Sequence, residues 1–219
     1  MNYIDFIFLI LLIFILLDNS NSTIESFKND FEIKKKYKSI TFNRCLQDLK
    51  KILDDNNQEF FLSCGTLLGC IRERDFIYHD EDIDVSIFYD KFNPTIKEKI
   101  VNSNIFKLEH ELGNLNDSYE LSFRHNNGVR IDIFICYKIR ENYFYMPSFY
   151  GKCDEKKEKF CKWGFHIYGL IKHKFLGKEY LIPINYIQYL EENYGHDWLV
   201  PKKISYFEGL EDGYKNLIN

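Results

Sequence analysis

The sequence has no surplus of positive charge: 29 Lys and Arg are outnumbered by 33 Asp and Glu, for a formal net charge of −4. Nonspecific nucleic-acid binding needs a polycationic face, so that class is disfavoured and no nucleic-acid partner is expected. Also missing is an apolar run of the roughly 20 residues that span a bilayer. The one continuous run, FIFLILLIFILL from Phe6 to Leu17, is shorter and is flanked by Asp5 and Asp18. It has no basic residues ahead of it and no Ala-x-Ala site behind it, unlike an ordinary cleaved signal peptide. Two readings stay open: the apolar part of a signal peptide, giving a secreted chain, or a short uncleaved membrane anchor. Either directs the chain into the secretory pathway, to the ER or Golgi lumen. The Lys34-Lys35-Lys36 cluster lies too far off to set an orientation. No internal repeat is present, which excludes stacked-repeat architectures.

What is present suits one domain with a short appendage. At 219 residues, with 45% hydrophobic and 17% aromatic content, the chain can bury an ample core. It divides into an apolar segment 1–18, a polar stem 19–38 and a folded domain 39–219. Two sequons, Asn21-Ser22-Thr23 and Asn116-Asp117-Ser118, are compatible with a lumenal location, whereas Asn93-Pro94-Thr95 is blocked by its proline. The spacing of Ile40, Leu46, Leu49, Ile52 and Leu53 predicts a helix from about Ile40 to Asp54. Pro94 to Val101 and Ile184 to Tyr194 read as further helices, the last with Ile187, Leu190 and Tyr194 on one face and Gly195 as its stop. Strands are predicted at Phe106–His110, Tyr119–Arg124 and Val129–Cys136, with Asn126-Asn127-Gly128 turning a hairpin between the last two. From Lys138 to Tyr180 the pattern loosens, and the charge run Asp154–Lys159 reads as solvated.

The chemistry concentrates between Phe60 and Phe88, FFLSCGTLLGCIRERDFIYHDEDIDVSIF. A short apolar strand leads into Gly65-Thr66 and a helical turn, and the stretch closes on Asp80, Asp82, Ile83, Asp84 and Val85 with the period of a half-buried strand. Residues i and i+2 of a strand share a face, so the three aspartates would line one side. Carboxylates crowded in this way are best tolerated around a cation, and oxygen-only ligands suit Mg²⁺ or Mn²⁺. Gly65 and Thr66, at a helix start, offer N–H groups and a hydroxyl for a phosphate. Asp132, alone in the apolar run Val129–Ile135, needs a partner: a shared metal, or a salt bridge to Arg130 or Arg124. Arg72 reads either as a clamp on phosphate or acceptor, or as a surface partner of Glu73 or Asp75. His79 reads as a solvent-facing histidine rather than a base. Cys153, Cys161 and His166, with Cys136 or His173 as a fourth ligand, admit a Zn²⁺ reading that matches no common finger spacing. A lumenal disulfide or free thiols are the other readings, and Cys64 and Cys70 read as packing residues.

The order strand, Gly-Thr turn, Asp-x-Asp strand and later strand with a single Asp resembles the nucleotidyltransferase superfamily. The fuller string Cys64-Gly65-Thr66-Leu67-Leu68-Gly69, Arg72, Phe76-Ile77 and Asp80-x-Asp82-Ile83-Asp84 resembles its LicD/fukutin branch of phosphotransferases, as does the tail Pro183, Leu190, Tyr194-Gly195, Asp197-Trp198 and Pro201. The likeness covers roughly residues 40 to 205. Tyr78-His79 stands where bacterial relatives usually have Pro-Trp, and Glu81 replaces the middle acid of their Asp run. The resemblance implies an α+β, nucleotidyltransferase-like fold, with a mixed, mainly antiparallel sheet and helices packed against it. It also implies metal-dependent transfer of a phosphoalcohol (ribitol phosphate, phosphocholine or similar) from a CDP-linked donor to a glycan or glycoprotein. In that scheme Asp82 and Asp84 hold Mg²⁺ or Mn²⁺ with Asp80 nearby, Asp132 is the base or a third ligand, and Gly65, Thr66 and Arg72 bind substrate. Two other classes stay in view. A nucleotide-sugar glycosyltransferase of the Asp-x-Asp type normally places a whole nucleotide-binding half before its acids, for which too little chain precedes Asp82. A noncatalytic glycan-binding relative would not need every carboxylate kept.

Overall fold

The computed structural model describes residues 3–149, 160–202 and 217–218, with the backbone alone for 3–27 and 217–218. The chain divides into two units, residues 1–40 and 41–219. Helix α1 (Tyr3–Asp55) supplies the first and contains the helix predicted from Ile40. Among the described residues no helix is long and apolar enough to cross a membrane. In the second unit Phe42, Cys45, Leu46, Leu49 and Leu53 recur at three- and four-residue steps and are buried. Ile40, grouped with them by the sequence, is 60% exposed. It stands six residues before Leu46, which is between one and two turns and points it the other way.

The sheet is built outward from β2 (Asp82–Phe88). On one side β2 pairs antiparallel with β1 (Phe61–Leu62), which runs parallel to β9 (Lys178–Pro183), and β9 pairs with the edge strand β8 (Leu170–Phe175). On the other side β2 is parallel to β5 (Arg130–Arg140), followed by β4 (Glu120–His125) and the edge strand β3 (Phe106–Leu112). Past Cys136, β5 leaves β2 and takes β6 (Tyr143–Ser148) as partner, and β7 (Cys161–His166) and β10 (Leu217–Ile218) continue from there. All ten described strands form one sheet, and only the β2–β5 and β1–β9 pairings are parallel. This is the mixed, mainly antiparallel α+β fold that the pattern and the resemblance implied.

The stretch Lys138–Tyr180, where little periodicity shows, holds most of β6 to β9. The reason is burial on both faces: four consecutive residues of β6 and four of the six in β7 are buried, so apolar and polar positions do not alternate. The helix predicted from Pro94 starts later, as α3 (Ile96–Asn102). Asn93 first closes a turn, its Oδ1 accepting from both the N–H and the hydroxyl of Thr95. The last helix, α4 (Tyr186–Tyr194), likewise starts after Asn185, whose side chain accepts from Tyr168 N and donates to His166 O. It buries Tyr189, Leu190 and Asn193, whereas Ile187, placed on the inner face by spacing, is 53% exposed. The Asn126-Asn127-Gly128 hairpin is present, with Gly128 N donating to His125 O at 2.8 Å.

Candidate active site

The chain leaves β1 through Ser63 and enters α2 (Cys64–Leu68) at Cys64, whose φ is +45°. The next residue has to lack a side chain. A Cβ on Gly65 would lie 2.6 Å from Asp80 Oδ2 and 3.2 Å from Asp84 Oδ2. Its absence lets the turn close on β2: Gly65 N donates to Asp84 Oδ2 at 2.9 Å, Asp84 N donates to Thr66 Oγ1 at 2.8 Å, and Ser63 N donates to Asp84 O at 3.3 Å. The Gly-Thr turn therefore clamps Asp84. Of the groups that the sequence offered to a phosphate, the Gly65 N–H is engaged here with the Asp84 carboxylate and Thr66 Oγ1 with the Asp84 backbone N–H.

Strand register assembles the rest. Asp84 faces Asp132 on β5, Asp132 faces Ser122 on β4, and Ser122 faces His110 on β3, so one polar row crosses four strands. Asp82 faces Arg130 in the row beside it. β3 delivers His110 through a bulge between Leu108 and His110. An unbroken ladder would have set Glu109 opposite Ser122 and aimed another acid at the aspartates. Glu109 instead takes both arms of Arg124, at 2.9 and 2.7 Å.

One carboxylate oxygen from each of Asp82, Asp84 and Asp132 lies within 4.8 Å of the others. Asp132 is buried and its Oδ1 has no hydrogen-bond partner. An all-oxygen trio with an unsatisfied buried acceptor fits a hard divalent cation. Asp80 sits in the turn ahead of β2 and lines the same cavity without joining the trio. The cavity has a volume of about 390 Å³. Its lining combines the acids, Arg130, Ser122 and His110 with a largely aromatic part made by Phe134, Pro147, Phe149, Trp163 and Tyr194.

Crowding shows in the acidities of the metal-free cluster. Withdrawal from water, then the carboxylates of Asp82, Asp132 and Asp80, hold Asp84 well above the usual range against the pull of Gly65 N–H. Burial pushes Asp132 up to about 6, with Arg130 and the Ser122 hydroxyl opposing. Burial and then Asp132 push Glu120 up to about 8. A bound cation would pull all three down.

The LicD/FKTN/FKRP nucleotidyltransferase-domain family matches residues 57–185, from just ahead of β1 to the start of α4. The chain belongs to this family. It is 32% identical over 158 residues to a mouse (Mus musculus) protein named ribitol-5-phosphate transferase FKTN, a match covering 72% of this chain and 33% of that one. The human (Homo sapiens) protein of the same name is 30% identical over the same shares. An uncharacterised Caenorhabditis elegans protein is 41% identical over 96 residues, 42% of this chain and 25% of that one. The chain thus spans about a third of the length of the FKTN relatives it matches.

Within this LicD/FKTN/FKRP domain the structure brings Asp82, Asp84 and Asp132 together, with Gly65 and Thr66 bonded to Asp84 and Asp80 lining the same cavity. Arg72 stands apart. The π-helical turn Gly69–Glu73 carries it to Glu73 Oε1 at 2.8 Å and to Trp198 O at 2.9 Å. It lines a neighbouring cleft with the exposed His79, and the two hollows share Gly65, Asp80 and Tyr194. Cys161 is disulfide-bonded, which removes the thiolate that Zn²⁺ would need, and His166 Nδ1 lies 2.7 Å from Glu192 Oε1. Cys153 and the charge run after it lie outside the described residues. Among the described residues the aspartate trio is the one cluster that could hold a metal ion.

Glu120, Ser122 and His110 escaped the sequence reading, and Arg130 entered it only as a salt-bridge partner. A usable signal existed for two of them. The Asn126-Asn127-Gly128 turn fixes the register of its hairpin, which sets Ser122 opposite Asp132 and Glu120 two residues along the same face. The bulge that aims His110 has no comparable signature in the sequence.

Proposed function

We propose that this chain transfers a phosphoalcohol from a CDP-linked donor to a hydroxyl of a glycan. Ribitol phosphate is the first alcohol to test, because the mouse and human relatives are named ribitol-5-phosphate transferases. The observation that carries the reading is the trio Asp82, Asp84 and Asp132 with its unsatisfied Asp132 Oδ1, set in a cavity with an aromatic wall. In the reaction the acceptor oxygen bonds to the phosphorus bearing the alcohol, the bond from that phosphorus to CMP breaks, and the acceptor proton is lost. Mg²⁺ or Mn²⁺ held by the trio would neutralise the diphosphate and the charge that develops on CMP.

The chain's own residues supply the positioning. Gly65 and Thr66 fix Asp84, and the Ser122 hydroxyl fixes Asp132. The proximity of Asp132 to Asp82 and Asp84 favours a ligand role over that of a base. The aromatic wall limits water around the reacting phosphorus. The cleft beside Arg72 and Trp198, which shares Gly65, Asp80 and Tyr194 with the cavity, gives the acceptor a route in. The reading includes a lumenal location in the ER or Golgi, with membrane attachment through the segment before residue 19 where that segment is retained.

The test follows CMP release by the full chain with Mg²⁺ or Mn²⁺ from a panel of CDP-alcohols, with UDP-sugars as controls. Metal-dependent CMP release from one donor, absent in Asp82→Asn and Asp84→Asn, is the expected result. UDP release instead would move the assignment to a glycosyltransferase. Silence across the panel, without metal binding by calorimetry, would leave the noncatalytic reading ahead.

A further inference from the structure

Arg130 is where this cluster departs from an open metal site. Its guanidinium bonds to Asp82, and its Nε lies 3.3 Å from Asp132 Oδ2, so it spans two of the three carboxylates suited to a cation. Register brings it there: Arg130 is opposite Asp82 across the β2–β5 pair and two residues before Asp132 on the same face. The neighbouring Arg124 is already taken by both oxygens of Glu109.

Arg130 neutralises the cluster without satisfying it. A guanidinium offers five N–H donors in a rigid fork. Here it hydrogen-bonds Asp82, but its Nε is buried with no well-directed acceptor, and Asp132 Oδ1 is buried with no donor. A charge pair with both mismatched groups withdrawn from water gains Coulomb energy and forgoes part of its hydrogen bonding. Arg130 also lines the cavity and keeps 37% of its side chain exposed, so it has room to turn toward a ligand.

We propose that Arg130 is a displaceable counter-ion. It holds Asp82 and Asp132 together while no divalent cation is bound. When a cation enters the trio, the guanidinium gives up these carboxylates and turns to the diphosphate of the nucleotide donor, a planar anion partner that its fork matches. Arg130 is then a positioning residue for the cation and a binding residue for the donor. The identity of the anion rests on the phosphotransferase reading; the exchange with a divalent cation does not.

Exchange and a static ion pair predict opposite results. If Arg130 merely organises the carboxylates, removing it weakens cation binding. If it competes for them, removing it strengthens cation binding. It also weakens the cooperativity between cation and nucleotide, because the displaced guanidinium no longer waits for phosphate, and such coupling is reciprocal.

The experiment titrates Mn²⁺ into the full chain by electron paramagnetic resonance, with and without CDP, for wild type, Arg130→Met and Arg130→Lys. Without CDP, Arg130→Met should bind Mn²⁺ at least about tenfold more tightly, the order expected when a unit charge a few ångströms away is removed from a partly buried site. CDP should then tighten Mn²⁺ binding less in the variant than in wild type. Arg130→Lys, which keeps the charge and loses the fork, should bind Mn²⁺ without CDP nearly as wild type does and lose most of the CDP effect. Melting curves identify a folded sample: Arg130→Met should melt lower than wild type in EDTA and recover with Mn²⁺. Equal or weaker Mn²⁺ binding by folded Arg130→Met overturns the exchange while leaving the metal centre and the transferase reading intact. If Arg130→Met does not fold even with Mn²⁺, an undiminished CDP effect in Arg130→Lys overturns it, and a lost one supports it. Absence of Mn²⁺ binding by every chain overturns the metal centre and the exchange together.

Discussion

Gly65 and Asp84 form the most constrained pair of residues in the site. A methyl group on Gly65 would meet Asp80 Oδ2 at 2.6 Å, and relieving that contact moves a carboxylate of the cluster. Gly65→Ala should therefore cut turnover by about a hundredfold, the usual cost of an ångström-scale misplacement of reacting groups, in the CMP-release assay. Asp84→Asn separates chemistry from stability. It should reduce turnover by about a thousandfold or more, yet raise the melting temperature in EDTA, because burial and three other carboxylates make the Asp84 carboxyl a much weaker acid than usual and so destabilise its ionised form. Glu120 adds a pH dependence with a definite sign. Its carboxyl is pushed from 4.5 up to about 8, so the fold binds that proton more tightly than the unfolded chain does. Stability from this group is fully present below about pH 4.5 and is lost as pH rises through about 8. Melting curves of the metal-free full chain should fall across that window, and Glu120→Gln should flatten the fall.

At the level of elements, what the sequence made legible was whatever has one wet face or a diagnostic turn. β2, β4 and β5 alternate or sit beside an Asn-Gly turn, so their existence and the presence of Asp132 in the sheet of Asp82 and Asp84 are legible, whereas the parallel β2–β5 register that sets Asp84 opposite Asp132 is not. β6 and β7 are buried on both faces and leave no period to read. Arg72 shows a second kind of limit. The sequence leaves it open between a clamp and a partner of Glu73 or Asp75, and local backbone geometry accounts for its contacts: α2 stops at Leu68 and a π-helical turn, which winds more residues per turn, carries it to Glu73 and Trp198. Its hydrogen bond to the Trp198 carbonyl joins the segment after α4 to the turn after α2. Arg72→Ala should cost about 1–3 kcal/mol in a denaturant titration, the range for losing a charged hydrogen bond at a site with little solvent. The bulge in β3 is the third kind, a backbone device that neither composition nor alternation announces.

For the whole molecule, a cation at the trio would link folding to function. Carboxylates that repel one another without it would become its ligands, so Mn²⁺ should raise the melting temperature of the full chain and EDTA should reverse the gain. At a hundredfold excess over its dissociation constant, a ligand specific to the folded state adds about 2.7 kcal/mol, which calorimetric melting can resolve. The longest strand of the sheet has a further consequence. β5 carries Arg130, Asp132 and Phe134 while paired with β2. Beyond Cys136 it carries β6 and, through it, β7, the strands that bring Pro147, Ser148 and Trp163 to the cavity. One continuous backbone thus joins both groups of strands that line the cavity, and its change of partner falls at Cys136–Tyr137. Relatives could reshape the cavity for a different ligand by altering that joint, with the aspartate trio left in place.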